Sequence, residues 1–217
     1  GEVIKSGDIV TTDGSNGRVL KGSANMVKPK LPKYFFEILD WARDLGKIHI
    51  KANADTIKEA QQAKGFKVDG IGLCRTEHMF FEKRSLQIMQ KILLCPREDD
   101  KMTAITNLSK IQVLEFEKIF KIMLGKTVTI RLLDLPVHEF LPNSINELEI
   151  LADELKMTFL QVSERCKQMA EINPMLGKRG VRLGILLPEL YKMQVKAIIN
   201  ATVLALVGSL KSSTLSI

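Results

Sequence analysis

The sequence is poor in the marks of several common protein classes. It holds three cysteines in 217 residues, Cys74, Cys95 and Cys166. Their odd number, wide spacing and lack of a CxxC pair argue against a disulfide framework or a zinc site, and for a reducing, intracellular compartment. Aromatic residues make up 6% of the chain, with a single tryptophan. There is no GxxxxGK[ST] stretch, which excludes a P-loop; no GxGxxG follows a strand pattern, and no GxSxG elbow occurs. No uninterrupted apolar run reaches the ~18 residues of a membrane-spanning helix, so no membrane partner is expected. The longest, Ala197 to Gly208, is broken by Asn200 and Thr202. The chain opens on Gly1-Glu2-Val3-Ile4-Lys5, with neither an apolar secretory core nor an initiating Met, which suggests a piece of something longer.

What is present is ordinary in bulk. Hydrophobic residues are 45% of the chain and charged residues 26%, enough for a sizeable core under a solvated surface. The formal net charge is +7. A nucleic-acid surface would cluster Lys and Arg with aromatics between them, whereas here the basic residues are scattered, so no nucleic-acid partner is expected. A site for a small anion needs only a few well-placed arginines.

The chain falls into three stretches. Residues 1–22 contain two short strand patterns, 8–12 and 18–22, around the turn-forming Asp13-Gly14-Ser15-Asn16-Gly17, which predicts a β-hairpin. Residues 23–33, with Pro29 and Pro32 among lysines, read as a linker. From Tyr34 onward, helical and strand periods alternate. Helices are expected at 33–45, 56–64, 82–94, 97–124, 146–155, 158–171 and 188–200. Strands are expected at 48–53, 68–73 and 128–133, and a further one at 202–207. A turn is expected at Asn173-Pro174-Met175-Leu176-Gly177. Strands alternating with helices imply a parallel α/β sheet, open or barrel-like. The stretch is short of the roughly 250 residues of a complete (β/α)8 barrel. Four or five strands, a half-barrel, is therefore the expectation.

In barrels the reactive groups sit at the C-terminal ends of the strands. By that rule Arg75 follows the strand Ile71-Gly72-Leu73-Cys74, Arg131 lies near the end of 128–133, and Asn53 and Asp55 end the strand at 48–53. Arg179 and Arg182 sit in a glycine-rich loop, Gly177-Lys178-Arg179-Gly180. Guanidinium groups converging there would hold a carboxylate or phosphate. Blander readings compete at each position. Arg75 could be salt-bridged to Glu77. Arg131, inside so apolar a strand, needs a partner if it is buried. Gly177–Gly180 could be a turn only, His49 could face solvent, and the nine methionines fill core. His78 and His138 form no ligand pattern. Glu77 and Asp134 are carboxylates near strand ends, but nothing in their spacing demands Mg²⁺.

The stretch Gly70-Ile71-Gly72-Leu73-Cys74-Arg75-Thr76-Glu77-His78-Met79-Phe80-Phe81 resembles a barrel segment of the pyruvate, phosphate dikinase family. Ala52-Asn53-Ala54-Asp55-Thr56 resembles the end of that barrel's first strand. The run Ile130-Arg131-Leu132-Leu133-Asp134-Leu135-Pro136 through Pro142 resembles the third, and Asn173-Pro174-Met175-Leu176-Gly177-Lys178-Arg179-Gly180 resembles the loop after it. Gly7-Asp8 and Asp13-Gly14-Ser15 resemble the end of the family's swivelling phosphohistidine domain. The resemblance departs at Lys178, where the family usually has His. It departs again after Asn200, where a stretch the family normally carries is missing.

The resemblance implies a phosphotransferase acting on ATP, phosphate and pyruvate, and making AMP, pyrophosphate and phosphoenolpyruvate through a phosphohistidine. It places residues 1–22 in the phosphohistidine domain, 23–33 in a linker, and 34–217 in the front of the barrel that binds phosphoenolpyruvate or pyruvate. It makes Arg75 and Arg131 anchors of substrate and transferring phosphoryl group, and Arg179 a third. It implies Mg²⁺ held by carboxylates elsewhere, and places the phosphorylated His and the acid Cys elsewhere too, so no catalytic residue or metal ligand is assignable here. The chain's own further domains and a homodimeric parent are the implied partners, and the chain by itself is expected to be inactive. A phosphoenolpyruvate synthase-like enzyme, or a non-catalytic barrel relative with a regulatory role, are the alternatives.

Overall fold

The computed structural model describes residues 3–27, 30–142, 144–170, 173 and 175–213, the last five by their backbone alone. Pro29 of the linker, Glu171 at the end of one expected helix and Pro174 of the expected turn lie outside the described residues. Internal contacts divide the chain into two units, Gly1–Lys47 and Ile48–Ile217.

In the first unit, β1 (Val10–Asp13) and β2 (Arg18–Lys21) pair antiparallel, with Val10 opposite Lys21 and Asp13 opposite Arg18. The turn between them is built by Asp13. Its carboxylate accepts the Asn16 side-chain amide at 2.8 Å and the Ser15 backbone N–H at 3.0 Å. The Asn16 bond is the chief cause holding the Asp13 carboxyl below its ordinary pKa, and such local bonding is why Asp starts turns. Helix α1 (Lys33–Leu45) begins directly after Pro32, whose ring cannot sit in a helix interior but suits its entrance. The hairpin and this helix stand where the sequence places them.

In the second unit, β3 (Lys51–Asn53), β4 (Gly70–Arg75) and β5 (Thr127–Arg131) form one parallel sheet with β4 in the middle. Parallel neighbours need crossovers. Helix α2 (Ile57–Gly65) supplies the first. Helices α3 (Glu77–Phe80), α4 (Lys83–Leu94) and α5 (Glu98–Ile122) lie in the second. The entrance of α2 is a capping box, with Thr56 Oγ1 accepting from Glu59 N and the Glu59 carboxylate from Thr56 N. After β5 come a 3₁₀ turn (Val137–Phe140), α6 (Ile145–Leu155), α7 (Phe159–Met169), α8 (Gly180–Leu186) and α9 (Pro188–Ser213). Arginine motif and sheet are linked by Gly70. A Cβ there would lie 2.6 Å from Thr127 Oγ1 and nearer still to the Thr127 carbonyl oxygen, so only glycine lets β4 and β5 approach at this point.

The core is centred on α5, which packs against α2, α4 and α9. Its buried face carries Leu108, Phe116 and Ile119. Helix α9 presents Leu190, Met193, Ala197, Ala201 and Ala205, all buried. The three alanines recur every four residues, one face of an α-helix, and their small side chains allow close packing along α5.

That periodicity corrects the expected strand at 202–207. These residues continue α9 without a break. The Thr202 hydroxyl donates to the Ile198 carbonyl oxygen at 2.9 Å, a bond made within the helix. β-branched Thr202, Val203 and Val207 favour a strand locally, but the Ala197–Ala201–Ala205 face buries only in a helix. The described residues of this unit therefore hold three parallel strands rather than four or five, and no closed barrel. One consequence amends the expectation about apolar runs: Pro188–Gly208 is long and apolar enough, by length and composition alone, to cross a membrane, with mean hydropathy 1.3. A core helix passes the same test, and α9 packs along α5.

Candidate functional site

Because β3, β4 and β5 run parallel, their C-terminal ends lie on one side of the sheet. β4 ends on Arg75 and β5 on Arg131, and these two residues are direct partners in the strand register. The sequence predicted both at strand ends; the register makes them neighbours. β3 ends on Asn53, and Asp55 follows two residues later.

Each of the three candidate arginines is held by its own carboxylate. Arg75 is held by Asp55, which is 6% exposed. The Arg75 backbone N–H donates to Asp55 Oδ1 at 2.6 Å and its Nη1 to Oδ2 at 3.3 Å. His78 Nδ1 stands 3.5 Å from the same Oδ2. Asp55 is fixed in turn by its own N–H, which donates to Glu59 Oε2 at 2.8 Å. That bond is the main cause of the lowered Glu59 pKa. The capping box of α2 thus reaches the strand end through one carboxylate.

Arg131 is held by Glu77. Its Nη2 donates to Glu77 Oε1 at 2.7 Å, with the arginine side chain 41% exposed and the glutamate 3%. This reverses the sequence argument. The buried charge that needs a partner is the glutamate, and Arg131 supplies it from the solvent side. The alternative of an Arg75–Glu77 salt bridge is not realised, because Arg75 turns to Asp55 instead. Thr76, fully buried, donates its hydroxyl to the Arg131 carbonyl oxygen at 3.0 Å.

Arg179 grips Asp134. Its Nε donates to Oδ1 at 3.2 Å, and its Nη2 to Oδ2 at 3.1 Å and to the Asp134 carbonyl oxygen at 3.0 Å. Hydrogen bonding to that carboxylate raises the Arg179 pKa above its already high ordinary value. Gly180 has φ +50, and a Cβ there would stand 2.9 Å from Asp134 Oδ1, so this position requires glycine on both counts. From α9, the Tyr191 hydroxyl bonds the carbonyl oxygens of Leu133 (2.8 Å) and Gly180 (3.0 Å), and Gln194 Oε1 accepts the Leu133 N–H at 3.0 Å. Burial pushes the Tyr191 phenol up to about 12. The negative charge of Glu77 acts on both Arg179 and Tyr191, which places the third pair in the field of the second.

Arg182 does not join the group. It sits in α8 and donates to the carbonyl oxygens of Leu176 (3.0 Å) and Met175 (2.8 Å), tying the preceding loop. His49 is exposed, 3.9 Å from Asp69. Among the described residues, no three His, Cys, Asp or Glu side chains are grouped to hold a metal ion. Asp55, Glu77 and Asp134 each face an arginine, so this donor set does not fit Mg²⁺ and no step through the metal follows from these residues. The sequence assigns no site role to Thr76 and Tyr191, and it places Asp55 at a strand end without pairing it with Arg75. Asp55 carried a weak signal, its place just past a strand end.

The arrangement suits anion capture. Arg75 and Arg131 are only partly covered, at 36% and 41% side-chain exposure. Each guanidinium gives one nitrogen to its carboxylate, and its remaining N–H donors can meet carboxylate or phosphate oxygens.

Residues 30–211 match the family described as PEP-utilising enzyme, PEP-binding domain. The chain is 43% identical over 202 residues to a pyruvate, phosphate dikinase of Rhizobium meliloti, covering 93% of this chain and 22% of that protein. It is 41% identical over 199 residues to one of Rickettsia typhi (92% and 23%), and 41% identical over 198 residues to one of Giardia intestinalis (91% and 22%). The chain therefore spans less than a quarter of the length of these relatives. With the family match running across the sheet, all three arginines and most of α9, this chain belongs to the PEP-utilising enzymes, through their PEP-binding domain.

Proposed function

We propose that this chain is the part of a pyruvate, phosphate dikinase that anchors phosphoenolpyruvate and pyruvate. The observation that carries the reading is the register pairing of Arg75 with Arg131 at the C-terminal edge of a parallel sheet. The whole enzyme interconverts ATP, phosphate and pyruvate with AMP, pyrophosphate and phosphoenolpyruvate, the phosphoryl group passing through a histidine on a separate domain. Here the two guanidinium groups bind and orient the substrate's carboxylate and phosphoryl oxygens, and Arg179 adds positive potential from the loop after β5. A loose phosphoryl-transfer transition state gains from such fixed positive charge more than from covalent help. Mg²⁺, held by residues other than these, would supply further positive charge for the transferring phosphoryl group.

The wider assignments rest on the same family resemblance. The three-stranded sheet is the front of a (β/α)8 barrel, residues 1–22 end the phosphohistidine domain, 23–33 link the two, and the parent enzyme is a homodimer. A reducing compartment is supported by the three free thiols, two of them buried. Alone, the chain binds substrate without turnover. Calorimetric titration with phosphoenolpyruvate tests this directly. Saturable binding lost in Arg131→Ala is the expected result. Binding unchanged by that substitution, or pyruvate-dependent ATP turnover by this chain, would overturn the reading.

A further inference from the structure

Glu77 carries a feature that an ordinary salt bridge lacks. Its side chain is 3% exposed, and only Oε1 meets the Arg131 guanidinium. The second oxygen, Oε2, is buried and meets no hydrogen-bond partner among the described residues. A buried carboxylate left half-satisfied is costly. As a device for stability it is poor, since an apolar side chain of similar volume would serve the core better.

The cost becomes intelligible from what Glu77 holds. Arg131 ends β5, and both ends of this residue are tied to the Thr76-Glu77 pair that follows β4. The Thr76 hydroxyl binds its backbone carbonyl oxygen at 3.0 Å, and Glu77 Oε1 binds its guanidinium at 2.7 Å. Thr76 and Glu77 are both buried, so the clamp is rigid, while Arg131 reaches solvent. A long arginine side chain otherwise samples many rotamers, and freezing it beforehand lowers the entropy lost on binding.

We infer that Glu77 is a positioning residue: it acts through Arg131, holding the guanidinium pre-aimed at the anion. This rests on the reading of the site as an anion anchor and names a residue that the site requires beyond its arginines. Two effects of Glu77 on an anion oppose each other. Its charge repels the ligand, and its grip on Arg131 prepares the binding geometry. The grip is the larger, because Arg131 itself offsets the charge.

The test uses this chain, with phosphoenolpyruvate as probe and two readouts. The first is the rotation of the Arg131 guanidinium, followed by side-chain ¹⁵N–¹H NMR without ligand. In the unaltered chain, hindered rotation is expected; in Glu77→Ala, free rotation. The second is a double-mutant cycle on the phosphoenolpyruvate Kd. Glu77→Ala weakens binding by about tenfold, the size of one mobile side chain ordered on binding, and adds nothing in an Arg131→Ala background. Additive losses, or hindered rotation that persists without Glu77, would overturn the inference in favour of a purely structural role. If Glu77→Ala does not fold, Glu77→Gln keeps the shape and removes the charge, and faster Arg131 rotation in a chain that still melts cooperatively is the supporting result. Unchanged rotation in that variant refutes it. Absence of phosphoenolpyruvate binding by the unaltered chain would sink the anion-anchor reading alone, and the rotation measurement still decides for or against the clamp.

Discussion

Arg131 shows why residue identity, beyond charge, matters at this site. It serves a buried carboxylate with one nitrogen and keeps the rest of its planar fork for a ligand. Lysine carries its three donors on one nitrogen, without the planar fork that can meet a ligand bidentately while it holds Glu77. Arg131→Lys should therefore raise the phosphoenolpyruvate Kd about tenfold or more, and an unchanged Kd in calorimetry would show that charge alone suffices. Cys74 illustrates the other side of burial. Its thiol lies in the core of β4, and burial, followed by the charges of Asp55 and Glu77, pushes its pKa from 9.0 up to about 12. The native thiol is thus neutral at pH 8 and should resist iodoacetamide until the chain unfolds. The sign of its pH dependence follows. The folded state keeps a proton that the unfolded state releases above pH 9, so the stability contribution is whole below pH 9 and is lost as pH rises toward 12. Urea midpoints at pH 8 and pH 10 measure this, and Cys74→Ala should flatten the difference.

At the scale of elements, the β4–β5 contact and α9 are the features whose failure would be most informative. Gly70→Ala puts a methyl group against Thr127 and should destabilise by about 2 kcal/mol or more, at the upper end of an overpacked core. A cost under about 0.5 kcal/mol in denaturant melts would mean the strands part more easily than their register implies. In α9, Val203 is exposed, so Val203→Pro removes no core contact. In a helix interior proline costs about 3 kcal/mol, and circular dichroism should register a loss of helix. The expected strand at 202–207 would have predicted no helical signal to lose there. Most elements were legible because their signals are local: helical spacing of apolar residues in α1, α2, α4 and α5, and the β-branched run of β5. The short helices α3 and α8 were not, since four and seven residues are too few to show a period. The same locality limits the site. Arg75 and Arg131 could be read from strand ends, but their carboxylate partners lie 20 and 54 positions away in sequence, and no spacing rule connects them.

At the scale of the whole molecule, each unit leaves apolar surface uncovered. In the second unit the outer face of α9 exposes Ile199, Val203 and Leu206, and α8 exposes Val181 and Ile185. In the first, α1 has no buried residue and exposes Tyr34, Ile38 and Trp41. Large apolar side chains exposed at helical spacing, as here, are the kind that contact sites in folded chains use. Concentration-dependent association is the expected outcome in analytical ultracentrifugation, weakened when Ile199 and Val203 are replaced by polar residues. A single monomeric species at all concentrations would count against the partial-barrel proposal.

The sequence by itself determined the alternation of strand and helix from Tyr34 onward, the hairpin before it, the family, and the two arginines on which binding is proposed to turn. These are local or motif-borne properties, written in periods of two and 3.6 residues and in short runs around Arg75, Arg131 and Arg179. The tertiary structure decided the rest. It made 202–207 a helix because an alanine face had to bury against α5. It paired Arg75 with Asp55 rather than Glu77, and it moved the burden of burial from Arg131 to Glu77. Each of those outcomes depends on groups far apart in sequence meeting at one place. Only the folded sheet, with its parallel strands in register, brings them there.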